Sequence, residues 1–376
     1  MDDVYQRLAA RLDEFPQGFP ATADGVELAV LRKIFTPDEA ALACRMLPVP
    51  LAAETIARRL DRPLEPLRAE LDRMVARGQL LVTVLRGRRC YALLPFVFGI
   101  YEFQLPRMDA ELARLFEAYA PALSKGIGGA APELGRVVPV NAHIDAQAEV
   151  LPHDSVRAML ADAVSFRLME CVCRHERAAA GHPCSHTLET CLAFSREEMA
   201  GDMAWWGRTI TREEAYEVLE QCEREGLVHC TYNVRRDSMF VCNCCACCCG
   251  FLRGVREFEA PHLLVRSNYL ATIDDDLCAD CDDCAARCPM DAIAGVDGSR
   301  RIDAERCIGC GVCTVACPTD AVTLRERPAH ERTTPPHGLM AWAYRRTAAR
   351  LGPWRAVGRF GAVAADALRR SPRRAT

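Results

Sequence analysis

Cys278-Ala279-Asp280-Cys281-Asp282-Asp283-Cys284-Ala285-Ala286-Arg287-Cys288-Pro289 is matched further along by Cys307-Ile308-Gly309-Cys310-Gly311-Val312-Cys313-Thr314-Val315-Ala316-Cys317-Pro318, two copies of C-x2-C-x2-C-x3-C-P. This is iron–sulfur spacing. Three cysteines at every third position wrap a tight turn around one face of a cubane, and the fourth ligand must come from elsewhere. The flanks repeat as well: Ile273-Asp274 precedes the first run and Asp291-Ala292-Ile293 follows it, while Ile302-Asp303 and Asp320-Ala321-Val322 bracket the second. The chain therefore carries an internal duplication. Zinc is the competing reading, but four-cysteine zinc sites usually arrive as two C-x2-4-C pairs far apart in sequence.

Across residues 271–327 the chain resembles the bacterial dicluster ferredoxins. The resemblance implies two [4Fe-4S] clusters in a small βαβ-type, pseudo-twofold module, in which the fourth cysteine of each run crosses to the other cluster. On that pattern Cys278, Cys281, Cys284 and Cys317 hold one cubane, and Cys307, Cys310, Cys313 and Cys288 hold the other. The two loops differ in charge. Asp274, Asp275, Asp276, Asp280, Asp282 and Asp283 crowd the first, whereas Arg300, Arg301 and Arg306 lead into the second, where Gly309 and Gly311 let the backbone come close to the sulfurs. One carboxylate about 8 Å away at an effective dielectric near 20 opposes an added electron by roughly 2 kcal/mol, or about 90 mV. The first-run cluster is expected to have the lower potential.

The chain has 376 residues, 50% hydrophobic and 26% charged, enough for two or three folded domains. Its 22 cysteines and an acidic, amphipathic N-terminus (Met1-Asp2-Asp3-Val4) argue against a secreted disulfide framework. The longest apolar run, Tyr91 to Tyr101, is too short for a bilayer and is broken by Pro95. A reducing, cytoplasmic location follows as the expectation.

The fold class read from the whole chain is α+β and multidomain. Residues 1–24 give a helix (Val4, Leu8, Leu12) and a loop. Residues 25–94 read as a winged-helix-like domain: a helix opened by Thr36, Pro37 and Glu39, a second from Ala52 to Leu60, a third from Leu64 to Arg77, then a hairpin of Leu80–Leu85 and Cys90–Leu94. DNA binding would place Arg68, Arg73 and Arg77 on phosphates, with Arg86, Arg88 and Arg89 in the wing, but Glu65, Glu70 and Asp72 share that helix. Packing or dimerisation is the alternative. Residues 95–150 read as a helical connector, its start buried between domains, and a glycine- and proline-rich linker from Pro121 to Val140.

Residues 151–270 form a cysteine-rich α/β middle domain. A helix from Ser155 is expected to deliver Cys171 and Cys173, with Cys184 and Cys191 beyond. A helix capped by Thr211 and Glu214 and closed by Gly226 leads to a hairpin ending in Cys242, Cys244, Cys245, Cys247, Cys248 and Cys249. Adjacent side chains point different ways, so this run cannot all be core, and a soft metal is the natural partner for so many thiolates. These ten cysteines are candidates for a further centre, iron–sulfur first and zinc second, with a redox-active dithiol or a plain cysteine-rich fold as the other readings. His175, His182, His186 and His229 are candidate ligands or structural histidines, and Arg174 and Arg177 are candidate donors to cluster sulfur. Together with the N-terminal domain, these segments resemble the larger ferredoxin-like 4Fe-4S dicluster proteins of anaerobic and respiratory prokaryotes.

Residues 328–376 are a basic amphipathic tail: Arg345, Arg346, Arg350, Arg355, Arg359, Arg369, Arg370, Arg373 and Arg374 alternate with Trp342, Tyr344, Leu351, Trp354, Val357, Phe360, Val363 and Leu368, with Asp366 the sole acid after residue 340. Such a segment suits an anionic membrane surface, an acidic partner, or the chain's own acidic body. No triad, P-loop or dinucleotide fingerprint is present. The expected function is passage of single electrons to or from a partner oxidoreductase. The alternatives are a cluster-dependent, DNA-binding redox sensor and a reductase acting at the middle cysteines.

Overall fold

The computed structural model describes residues 3–85, 87–140, 151–197, 199, 207–296, 299–358 and 360. They fall into two compact units: residues 1–107 with 130–132 and 340–376, and residues 108–129 with 133–339.

In the first unit α1 (Val4–Asp13) buries Tyr5, Leu8, Ala9 and Leu12 on one stripe. α2 (Val26–Ile34) and the two-residue β1 (Leu51–Ala52) are additions to the expected elements. α3 (Pro37–Arg45) opens with the Thr36–Glu39 capping box and its N1 proline. α4 (Ala53–Leu60), α5 (Leu64–Ala76), β2 (Leu80–Leu85) and β3 (Arg88–Leu93) follow, the strands forming an antiparallel sheet in the order β1-β3-β2. Phe96, Val97 and Ile100 are buried, Phe96 lying 4.7 Å from the Phe19 ring, so this apolar stretch contributes to the core of the first unit itself. Several arginines considered for phosphate contact are occupied within the unit. Arg68 pairs with Glu54 (2.7 Å) and Glu65 (3.1 Å), Arg77 with Glu39 (3.4 Å) and Arg89 with Asp72 (3.2 Å). Arg86 lies outside the described residues.

The second unit begins with α6 (Ala110–Gly128), which runs straight through Pro121 because its buried stripe (Leu112, Phe116, Tyr119, Ile127) continues past that residue. β4 (Gly135–Val138) is wholly buried. The expected linker from Pro121 to Val140 is thus corrected: packing overrides its glycine and proline content. α7 (Val156–Ala161) is also shorter than expected. It ends before the exposed Val164, and β5 (Ser165–Glu170), a strand rather than a helix, carries the chain to Cys171. Then come α8 (Val172–Ala179), β6 (Glu189–Ser195), β7 (Arg208–Ile210), α9 (Arg212–Arg224) behind its Thr211–Glu214 capping box, β8 (Val228–Tyr232), β9 (Phe240–Cys244), α10 (Gly250–Arg256) and β10 (Leu264–Val265). The strands make one mixed sheet, β10-β4-β8-β9-β6-β5-β7, in which only β10 and β4 run parallel. One face packs under α7 and α9 through Val156, Leu160, Leu168, Leu192, Leu219 and Val241.

The duplicated segment closes this unit with β11 (Tyr269–Ile273), α11 (Asp283–Arg287), β12 (Ile293–Val296), β13 (Ser299–Ile302), α12 (Val312–Ala316) and β14 (Val322–Glu326). β11 pairs antiparallel with β14, and β12 with β13. The repeat extends to backbone torsions. Asp280 (φ 52°), Asp282 (φ 65°) and Asp291 (φ 49°) match Gly309 (φ 66°), Gly311 (φ 78°) and Asp320 (φ 53°).

α13 (Leu339–Leu351) begins the tail and lies largely in the first unit. Arg346, fully buried, donates to the carbonyls of Pro16 (2.8 Å), Ala130 (2.5 Å) and Pro132 (2.7 Å), and Arg350 to Asp13 and the Phe15 carbonyl. These two arginines fasten α13 to its own unit and are not available to a membrane or a partner. Trp354 and Val357 are exposed; Arg359 and residues 361–376, with their expected basic stripe, lie outside the described residues. Among the described residues no helix is long and apolar enough to cross a membrane.

Candidate metal centres

Alternation along the strands sorts the middle-domain cysteines. In β9, Val241 faces the helices while Cys242 and Cys244 face the opposite side; in β6, Leu192 goes one way and Cys191 the other; in β8, Cys230 joins Cys244 on the second side. Cys171 and Cys173 arrive at the N-terminus of α8, and Cys249 at that of α10. Thiol contacts close these six into a ring, Cys171–Cys191–Cys242–Cys244–Cys249–Cys173 and back to Cys171, with Cys230 branching from Cys244. Cys230 was not among the sequence candidates; its position on the Val228 face of a period-2 strand is the signal that reveals it.

The remaining four candidates meet elsewhere. Cys184, from the loop after α8, lies 3.9 Å from Cys245 and 3.5 Å from Cys247, and Cys247 lies 3.7 Å from Cys248. All four sulfurs fall within 4.8 Å of one another. Cys245 and Cys248 pack with Cys222 and Leu227 in a small core separate from the one around Cys230 and Cys244.

Both groups hold polarised thiols. Hydrogen bonds from Cys171 and then Cys242 bring the Cys191 thiol down to about 6, and those from Cys230, Cys242 and Cys249 take Cys244 well below its ordinary value. Cys245 falls to about 4, through the Cys248 thiol first and then the charge of Arg174. A sulfur poised as thiolate is the form that binds metal. Arg174 is buried and donates to the Thr187 carbonyl (2.5 Å), Thr190 Oγ1 (2.6 Å) and the Asn243 carbonyl (3.0 Å) while facing Cys171 and Cys245. Arg177, the other expected sulfur donor, pairs with Glu117 at 2.7 Å.

Three of the candidate histidines lie near carboxylate or amide groups. His229 sits between Asn243 (2.5 Å) and Glu223 (3.3 Å), His175 lies 2.6 Å from Glu170, and His186 3.6 Å from Glu225. His229 is the hydrogen-bonded one of these three, linking β8 to β9 and α9.

In the duplicated segment Cys288 lines one apolar cavity together with Cys307, Cys310 and Cys313, walled by Met290, Ile293, Ile302 and Ile308. The Ala292 N–H donates to Cys288 Sγ at 3.2 Å. Burial first, and then the charges of Cys317 and Cys278, push the Cys284 thiol up. The two loops are unequally covered: Cys307, Cys310 and Cys313 are buried, Cys278 is half-buried and Cys281 exposed. Four sulfurs around an oxygen-free hollow suit a soft iron–sulfur group. Gly309 cannot carry a side chain, since a Cβ there would stand 2.1 Å from the Tyr269 carbonyl oxygen. Its role is to let a neighbouring strand pass, in addition to freeing the sulfur loop. The first-loop acids are partly compensated, Asp280 and Asp282 by Arg300 (3.1 and 2.8 Å) and Asp275 by Arg301 (2.9 Å).

The module and the sheet share one core. Val137, Val228, Cys230, Cys244 and Leu252 pack with Tyr269, Ile308, Cys310 and Val312, and the Val140 N–H donates to the Cys310 carbonyl at 2.9 Å.

Neither a curated protein nor a solved structure matches the chain. Residues 270–318 match the family model of the 4Fe-4S dicluster domain, and with that match the chain is an iron–sulfur protein.

Proposed function

We propose that this chain is an electron-transfer protein with two [4Fe-4S] clusters, one held by Cys278, Cys281, Cys284 and Cys317 and the other by Cys307, Cys310, Cys313 and Cys288. The observation that carries the reading is the lining of one apolar cavity by Cys288 with the three cysteines of the other run. When bound, such clusters accept and donate single electrons without a general acid, base or nucleophile.

The chain's own residues give the module a direction. Cys281 reaches solvent beside the Asp280 and Asp282 carboxylates, so a redox partner with a basic face would dock there. The buried second loop adjoins Cys230 and, through it, the ring of six cysteines. The ring is read as a third iron–sulfur position at the inner end of the path. A reductase whose substrate meets that ring is the second reading, favoured by the gathering of six cysteines from β6, β9, α8 and α10.

The N-terminal helices and hairpin are read as a winged-helix-like domain used for packing, because Arg68, Arg77 and Arg89 are already ion-paired. The cytoplasm is read as the location, because thiolates held for soft metals need a reducing compartment.

The test is iron and acid-labile sulfide per chain in protein purified without oxygen, with EPR of the dithionite-reduced form. About eight iron atoms and two interacting S = 1/2 signals correspond to two cubanes; about twelve mean a third cluster. No labile sulfide would sink the proposal. Cys244→Ser should remove the third cluster alone, and loss of reductase turnover with it would favour the second reading.

A further inference from the structure

The ten candidate cysteines of the middle domain form two sites of different size, and the smaller does not have the dimensions of a cluster. Cys184, Cys245, Cys247 and Cys248 bring their sulfurs within 4.8 Å of one another, with individual contacts of 3.5, 3.7 and 3.9 Å. A single ion bound by four thiolates at about 2.3 Å sets its sulfurs about 3.8 Å apart, the edge of the tetrahedron. A cubane spreads its ligands much further, because an iron stands between every cysteine sulfur and the centre.

The chain supplies its own yardstick. Among the described residues, neither set of four cysteines in the segment matching the 4Fe-4S family converges to this distance, nor does the ring of six; the Cys184 group does.

We infer that Cys184, Cys245, Cys247 and Cys248 bind one divalent ion of the zinc class as a closed tetrathiolate. The site ties the loop after α8 to the turn between β9 and α10. Cys245 and Cys248 are buried, Cys184 is half-buried and Cys247 is exposed, so an ion can enter from the Cys247 side. Arg174, beside Cys245, offsets part of the net negative charge left when four thiolates meet one dication. With all four positions taken by protein sulfur, no place remains for water or substrate, and the role is structural. This site is independent of the electron-transfer reading, since zinc and iron are counted separately.

Full-length protein, purified without oxygen from zinc-supplemented medium, would be assayed for both metals and examined by X-ray absorption at the zinc edge. The expected result is one zinc per chain with four sulfurs at about 2.3 Å. Cys247→Ser should replace one sulfur by oxygen or release the zinc, while iron content and the EPR of the reduced clusters stay at wild-type level. Zinc absent from the wild type after zinc addition overturns the inference, as does a shell containing nitrogen. A Cys247→Ser protein that keeps its zinc but loses about four iron atoms would make the site a cluster position and also overturn it. The absorption experiment needs no variant, so a misfolded mutant cannot leave the matter open. Missing iron with zinc retained would count against the electron-transfer reading alone.

Discussion

Gly309→Ala isolates what the second sulfur loop requires of its backbone. The residue has φ 66°, and an added Cβ would stand 2.1 Å from the Tyr269 carbonyl oxygen and 2.2 Å from Ser267 Oγ. Neither neighbour can withdraw easily. Tyr269 is paired to Glu326 at the start of β11, and Ser267 donates its hydroxyl to the Gly309 carbonyl (2.6 Å) and its N–H to the Ile308 carbonyl (3.0 Å). Left-handed strain for alanine is about 1 kcal/mol. Overpacking adds about 1 to 3 kcal/mol and a displaced hydrogen bond about 1 kcal/mol, so the loss is expected at about 3 to 5 kcal/mol. The internal repeat supplies the control: Asp280→Ala places alanine at the equivalent left-handed position (φ 52°) on an exposed loop and forfeits only the surface pair with Arg300. With left-handed strain for alanine included, its cost is expected at about 1 to 2 kcal/mol. Denaturant unfolding of both variants, with iron retention followed in parallel, separates the two. Equal losses would refute the argument that contact with Tyr269, and not torsion alone, demands glycine.

Arg174→Met leaves the Thr187 and Asn243 carbonyls and the Thr190 hydroxyl without their buried donor; about 3 to 5 kcal/mol of stability should go, read by denaturant midpoint, with Arg174→Lys recovering part of it. Glu117 bridges Arg177 and Arg253, and although burial opposes it, hydrogen bonding and charge from Arg253 and then Arg177 hold its carboxyl below the usual value of 4.5. Its contribution is therefore present above pH 4.5 and lost as pH falls through the depressed folded value, so the stability difference between wild type and Glu117→Gln should shrink only in that acid range; a difference independent of pH would contradict this. Arg300→Gln uncovers Asp280 and Asp282 and should lower the first-loop potential by on the order of 50 mV in a redox titration, an effect that fades with salt. A shift confined to the second cluster would reverse the assignment of the acids.

The duplicated segment was legible because its signal is chemical and local: the C-x2-C-x2-C-x3-C-P runs, and the left-handed turns they need, recur at fixed offsets. The capping boxes at Thr36 and Thr211 were legible for the same reason, each being complete within four residues. Pro121 misled because helix propensity is a local property, whereas α6 is held by a buried stripe extending to Ile127. The helix expected from Ser155 to Cys171 failed at Ala161, since β5 is defined by its partners β6 and β7, which are distant in sequence. The middle cysteines were identifiable as a set, but their division into a ring and a tight foursome depends on strand alternation and on a loop contact between Cys184 and Cys247 across 63 positions. Spacing along the chain holds no record of that pairing.

The unequal covering of the two sulfur loops bears on how the protein is matured and maintained. On the proposed two-cluster reading, a loop whose Cys281 reaches solvent is the one open to filling, emptying and refilling in the finished fold. A loop whose Cys307, Cys310 and Cys313 are enclosed in a core shared with β4, β8 and α10 has to be filled before that core closes, or after it reopens. Damage at the outer position is then a repairable event, while damage at the inner one commits the whole unit to unfolding or replacement.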